Sequence, residues 1–150
     1  MHGNLFTRSL EESMSQAQID IIKGLYAAFA RGDGEAVLAA FDPAVVWNEA
    51  DNFPYADRNP YIGPAAIAEG VFARLAAEWD AFTVRPEEFL EARDTVVMLG
   101  RYHASYKATG AVLDAQVVHV WRLKGGKITG FQQYTDTAQA QRVTAARAAR

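Results

Sequence analysis

Between residues 115 and 136 the side chains follow a period of two, interrupted once by Lys124-Gly125-Gly126-Lys127. The pattern predicts two antiparallel strands joined by a tight turn, since paired glycines supply the positive φ angles of two-residue hairpin loops. One face of the first strand carries Val117, His119, Trp121 and Leu123, and the other carries Val118, Val120 and Arg122. The returning strand adds Gln132, Gln133, Tyr134 and Asp136. A sheet face that sets polar groups among aromatic ones has the chemistry of a small-molecule pocket lining.

Upstream the period changes to that of a helix. Ile19, Ile22, Leu25, Tyr26, Phe29 and Ala30 recur at helical spacing behind Ser15 and Gln18, which match a capping box. Residues 1–15 carry no clear period and read as a mobile lead-in. Gly32 and Asp33 separate this helix from a short second one over 34–41, which Asp42-Pro43 stops. Residues 44–50 read as a strand with Val45, Trp47 and Glu49 on one face. A loop over 51–63 holds Phe53, Tyr55 and Tyr61, which suits a lid over a cavity mouth. Pro64 starts a third helix through Ile67, Val71, Phe72, Leu75 and Trp79.

Two strands follow, over 82–92 and 96–106, before the hairpin. On the second, Met98, Gly100 and Tyr102 share the face expected to look inward, which sends Arg101 and His103 outward. Residues 139–150 form a helix-prone tail, either docked or frayed. Helices grouped before a run of antiparallel strands mean an α+β fold, a curved sheet closing over three helices as a cone open at one end. A single domain over 16–138 accounts for the pattern.

Composition narrows the chemistry. The formal net charge is −3, with no basic cluster of the kind nucleic acid requires. No apolar run reaches membrane-spanning length and no signal-peptide core is present, so a cytoplasmic protein is expected. Cysteine is absent, and the three histidines, His2, His103 and His119, have no carboxylate at ligand spacing, so neither metal nor cofactor is expected.

Several ordered segments carry a family likeness: 25–33 (LYAAFARGD), Phe41-Asp42-Pro43 with Val46-Trp47, 61–67 (YIGPAAI), 119–122 (HVWR) with Gly126-Lys127-Ile128, and Tyr134-Thr135-Asp136-Thr137. Together they resemble the nuclear transport factor 2-like superfamily and, within it, the SnoaL-like, polyketide-cyclase-like group. The resemblance implies a deep apolar pocket at the wide end of the cone and a homodimer through the outer sheet face. It also implies acid–base chemistry by a pocket histidine and a final-strand aspartate. His119 fits the first role. Asp136 is the candidate for the second, or else a strand-end carboxylate accepting local hydrogen bonds.

The expected pocket wall comprises Trp47, Glu49, Tyr55, Tyr61, Phe72, Trp79, Tyr102, Trp121, Gln133 and Tyr134. Glu49 is either an acid or base at the rim or a solvated strand end. The function these residues predict is isomerase, cyclase or lyase chemistry on a small apolar carbonyl compound. The alternative is a non-catalytic module that binds a small hydrophobic ligand or serves as an accessory subunit.

Overall fold

A 26-residue helix, α1 (Leu5–Ala30), runs across the concave side of the sheet. The computed structural model describes residues 4–145. The helix starts far earlier than the period suggested. Asn4 caps it by accepting from the Phe6 amide at 3.1 Å, and Ser15 instead donates to the Glu11 carbonyl inside the helix at 2.9 Å. From Leu5 on, the expected lead-in and the capping box are both replaced by helix, and residues 1–3 of the lead-in lie outside the described residues. Burial begins only further along, at Ile22, Leu25, Tyr26 and Ala28, and the first turns, with Leu5, Phe6, Leu10 and Met14, are exposed.

Asp33 caps α2 (Gly34–Ala39) by accepting from the Ala36 amide at 3.1 Å. Strand β1 (Phe41–Asn48) follows at once. Asp42-Pro43 does not precede this strand but lies inside it, where the register shifts between Phe41 and Val46. A bulge is where a strand tolerates proline.

Strand β2 (Tyr61–Ile62) is a short edge inside the segment read as loop. Helix α3 (Pro64–Ile67), one π-helical turn (Ala68–Phe72) and α4 (Ala73–Glu78) form the third helical run. Trp79 leaves it to open β3 (Trp79–Ala92), which bends at two register shifts, one beside Pro86. Then come β4 (Thr95–Tyr106), β5 (Val112–Lys124) and β6 (Lys127–Thr135). Gly125 and Gly126 both have positive φ at the β5–β6 turn, as the hairpin demanded. Helix α5 (Thr137–Ala145) docks through Ala140 and Val143, and residues 146–150 of the tail lie outside the described residues.

The six strands lie in the order β2-β1-β6-β5-β4-β3. All pairings are antiparallel except β1 with β6. That parallel pair brings the end of β1, and with it Glu49, beside the middle of β6. On the inner face β4 presents Val96, Met98, Tyr102 and Ala104, and β5 presents Val117, His119, Trp121 and Leu123, all buried. The core therefore sits between this face and the helices.

Candidate functional site: an apolar cavity around His119

His119 is flanked by two phenols. Its Nδ1 lies 2.7 Å from the Tyr26 hydroxyl of α1, and its Nε2 lies 2.6 Å from the Tyr102 hydroxyl of β4. Each phenol accepts from a further donor. Trp121 Nε1 donates to Tyr26 at 2.8 Å, and Gln133 Nε2 donates to Tyr102 at 2.8 Å. The Gln133 amide is itself oriented, because its Oε1 accepts from the Ala50 backbone amide at 3.0 Å. Burial without a charged partner lowers the His119 pKa from 6.5 to about 3, so the ring is neutral. Burial also pushes the Tyr26 and Tyr102 phenols well above their usual range.

Glu49, just past the end of β1, is only 3% exposed and faces the same cavity. Among the described residues it forms no ion pair. Desolvation raises its pKa from 4.5 to about 8, opposed only in part by the Trp47 indole and the Arg74 charge. Its backbone is clamped by Asn59, which accepts from the Glu49 amide at 2.9 Å and donates to the Glu49 carbonyl at 2.8 Å. Trp47 Nε1 is buried beside the Glu49 carboxyl and makes no well-aligned hydrogen bond among the described residues.

The remaining wall is apolar. Phe53, Trp121 and Phe131 line the cavity together with the half-buried Phe29, Phe72, Leu75, Phe82 and Val84. The free space is about 50 Å³, against roughly 300–1,000 Å³ for common ligand pockets, so a ring compound enters only if half-buried wall side chains swing aside.

Trp47, Glu49, Phe72, Tyr102, His119, Trp121 and Gln133 thus meet in one cavity. Tyr55, Tyr61 and Trp79 do not line it. They form an adjoining polar cluster under the 51–63 loop, where Trp79 Nε1 donates to the Tyr55 hydroxyl at 3.0 Å and the Tyr61 hydroxyl donates to the Tyr55 carbonyl at 2.6 Å. Arg74 joins them, bonding both carboxylate oxygens of Asp57 at 2.8 and 2.9 Å and contacting the Tyr61 hydroxyl.

Two residues belong elsewhere. Tyr134 is on the outer sheet face, 57% exposed. Asp136 caps α5, accepting from the Gln139 amide at 3.0 Å, which holds its carboxyl below the usual carboxylate range. It borders a shallow outer depression and is not brought to His119. The structure therefore does not bring Asp136 to His119, because a new helix starts immediately after β6 and takes the aspartate as its cap; the carboxyl that lines the cavity is Glu49. Tyr26 and Asn59 were missed. Tyr26 had one signal, a hydroxyl placed on an otherwise apolar helical stripe. Asn59 had none.

The model of the SnoaL-like domain matches residues 22–131. The chain belongs to the SnoaL-like family. Among solved structures this SnoaL-like chain is similar to an NTF2-like protein from Burkholderia thailandensis E264, 40% identical over 83% of this chain and 96% of that one, with a TM-score of 0.77. It is also similar to TerC co-crystallised with polyporic acid, 27% identical over 85% of this chain and 97% of that one, with a TM-score of 0.76. A SnoaL-like protein from Jannaschia sp. CCS1 shares the fold at 14% identity, covering 86% of this chain and 92% of that one, with a TM-score of 0.74. No curated protein sequence matches the chain. Among the described residues no helix is long and apolar enough to cross a membrane, and no three His, Asp or Glu side chains group as a metal site.

Proposed function

We propose that this cavity transfers a proton at the carbon next to a carbonyl of a small apolar compound, as an isomerase, cyclase or lyase of the SnoaL-like kind. The observation that carries the reading is Glu49, a carboxyl buried beside hydroxyl and indole donors with its pKa raised to about 8. A general base works best with a pKa near the operating pH. His119 is a poor base, because burial disfavours its charged form and both ring nitrogens are engaged. In this scheme the Glu49 carboxylate takes the carbon-bound proton, and a tyrosine hydroxyl and the Trp47 N–H stabilise the enolate oxygen. Glu49, now protonated, returns the proton to a second carbon.

The test is deuterium exchange at the α-carbon of 2-tetralone and 3-cyclohexenone in D2O, followed by NMR. The expected result is catalysed exchange that rises with pH to a plateau above about 8 and falls at least about 100-fold in Glu49→Gln, the loss typical of a removed general base. Equal rates in parent and variant overturn the reading.

A second reading has its own support. About 50 Å³ of free space suits a scaffold or binding module that opens for a ligand without turning it over. Saturable binding of either ketone with no exchange selects it. In both readings the outer sheet face, with Val46, Ile62 and Tyr134 exposed, is proposed to pair with a second copy of the chain, which sedimentation equilibrium measures.

A further inference from the structure

The Tyr26–His119–Tyr102 array can be read by counting protons. A neutral imidazole carries one N–H and each phenol one O–H, three protons in all. The contacts at 2.7 and 2.6 Å use two of them. One phenol proton is left over. Neither neighbour can accept it, since Trp121 Nε1 has only a hydrogen to give and Gln133 turns its NH2 toward Tyr102 while its oxygen is taken by Ala50.

The tautomer of His119 decides which phenol holds the surplus. With hydrogen on Nδ1, Tyr26 accepts from both Trp121 and His119, and its own proton is left among the rings of Phe89, His119 and Trp121. With hydrogen on Nε2, Tyr26 donates to the ring, the ring donates to Tyr102, and the surplus lies on Tyr102. Tyr102 stands on the Glu49 side of the cavity, because Gln133 bridges its hydroxyl to the backbone amide of Ala50, the residue after Glu49. Tyr102 is packed among Phe53, Phe82 and His119 as Tyr26 is among its own rings, but Tyr102 also has a carboxyl on its side of the cavity. A buried O–H left without any polar neighbour is costly, which disfavours the first arrangement.

We propose that His119 is held as the Nε2–H tautomer, so that the Tyr102 hydroxyl is the single unpaired proton of the array and serves as the donor to a ligand oxygen. This inference rests on the cavity being the ligand site proposed above. It assigns His119 a positioning role. Trp121 N–H, Tyr26 O–H, His119 Nε2–H and Tyr102 O–H then donate in one sense, and such chains polarise their last member. The Trp47 indole N–H lines the same space beside the Glu49 carboxyl and is a second donor within the cavity. A ligand that satisfies both donors carries its oxygen as a carbonyl, enolate or phenolate.

The test is long-range 1H–15N NMR of the full chain labelled with 15N-histidine, with the His119 signals assigned by their loss in His119→Gln. The expected pattern is a neutral ring with hydrogen on Nε2, unchanged between pH 5 and pH 8, while His103 is compared in the same spectra. Hydrogen on Nδ1, or a ring that becomes doubly protonated in that range, overturns the proposal. Binding of 2-naphthol supplies a second readout: Tyr102→Phe is expected to weaken it at least about tenfold and Tyr26→Phe less, and the reverse order overturns the assignment. The NMR result needs no turnover. Failure of the tautomer and failure of Glu49-dependent exchange are therefore seen separately.

Discussion

The side-chain amide of Asn59 holds both backbone polar groups of Glu49, donating to its carbonyl at 2.8 Å and accepting from its amide at 2.9 Å. It does what a neighbouring strand would do at a point where β1 has run out of partners. The clamp ties the 51–63 loop to the proposed base. Asn59→Ala removes two hydrogen bonds and is expected to lower stability by about 1–3 kcal/mol, measured by urea denaturation. An unchanged denaturation midpoint would show that the clamp is dispensable.

Two buried groups give stability a pH dependence of defined sign. The unfolded chain ionises Glu49 above its ordinary 4.5 while the fold resists until about 8, so this group removes stability as pH rises across that window. His119 acts oppositely: the unfolded chain takes up a proton below 6.5 and the fold resists until about 3, so stability falls as pH drops across that window. Between 4.5 and 6.5 the two slopes oppose each other. Glu49→Gln is expected to gain on the parent from pH 5 to pH 9, by on the order of 4 kcal/mol in all, as read from denaturant midpoints at each pH. A difference that does not vary with pH would mean the carboxyl is already ionised in the fold.

Gly70 sits in the π-helical turn under Tyr61. A Cβ there would overlap Tyr61 Cε1 and come 2.9 Å from Cδ1. Gly70→Ala is expected to push the Tyr61 ring off the Tyr55 carbonyl and Arg74, costing about 1–3 kcal/mol as overpacking does. Thermal denaturation checks this, and Gly70→Ala/Tyr61→Leu should recover part of the loss.

Asp136→Ala removes the α5 cap without touching the cavity. The expected outcome is a slightly lower melting temperature, measured by calorimetry, with ketone exchange unchanged. Loss of exchange at full stability would return Asp136 to the catalytic role its place after Tyr134 suggested.

The sequence by itself determined the long amphipathic elements and the faces of β4 and β5, though not the first turns of α1, the short β2 or the outward side of Tyr134. Alternation along β5 put His119 and Trp121 together on the buried side, and the same rule turned Arg101 and His103 outward, because a strand's side chains can only alternate. The glycine pair set the β5–β6 turn for an equally local reason. What sits opposite a face is not local. Tyr26 meets His119 across 93 positions, Gln133 meets Ala50 across 83, and β1 joins β6 in parallel. Those meetings decide that Glu49 loses its water and keeps its proton, whereas Asp136 stays solvated as a helix cap. A carboxyl's chemistry follows from what surrounds it, and those surroundings exist only after the sheet has curved over α1 and the 51–63 loop has closed.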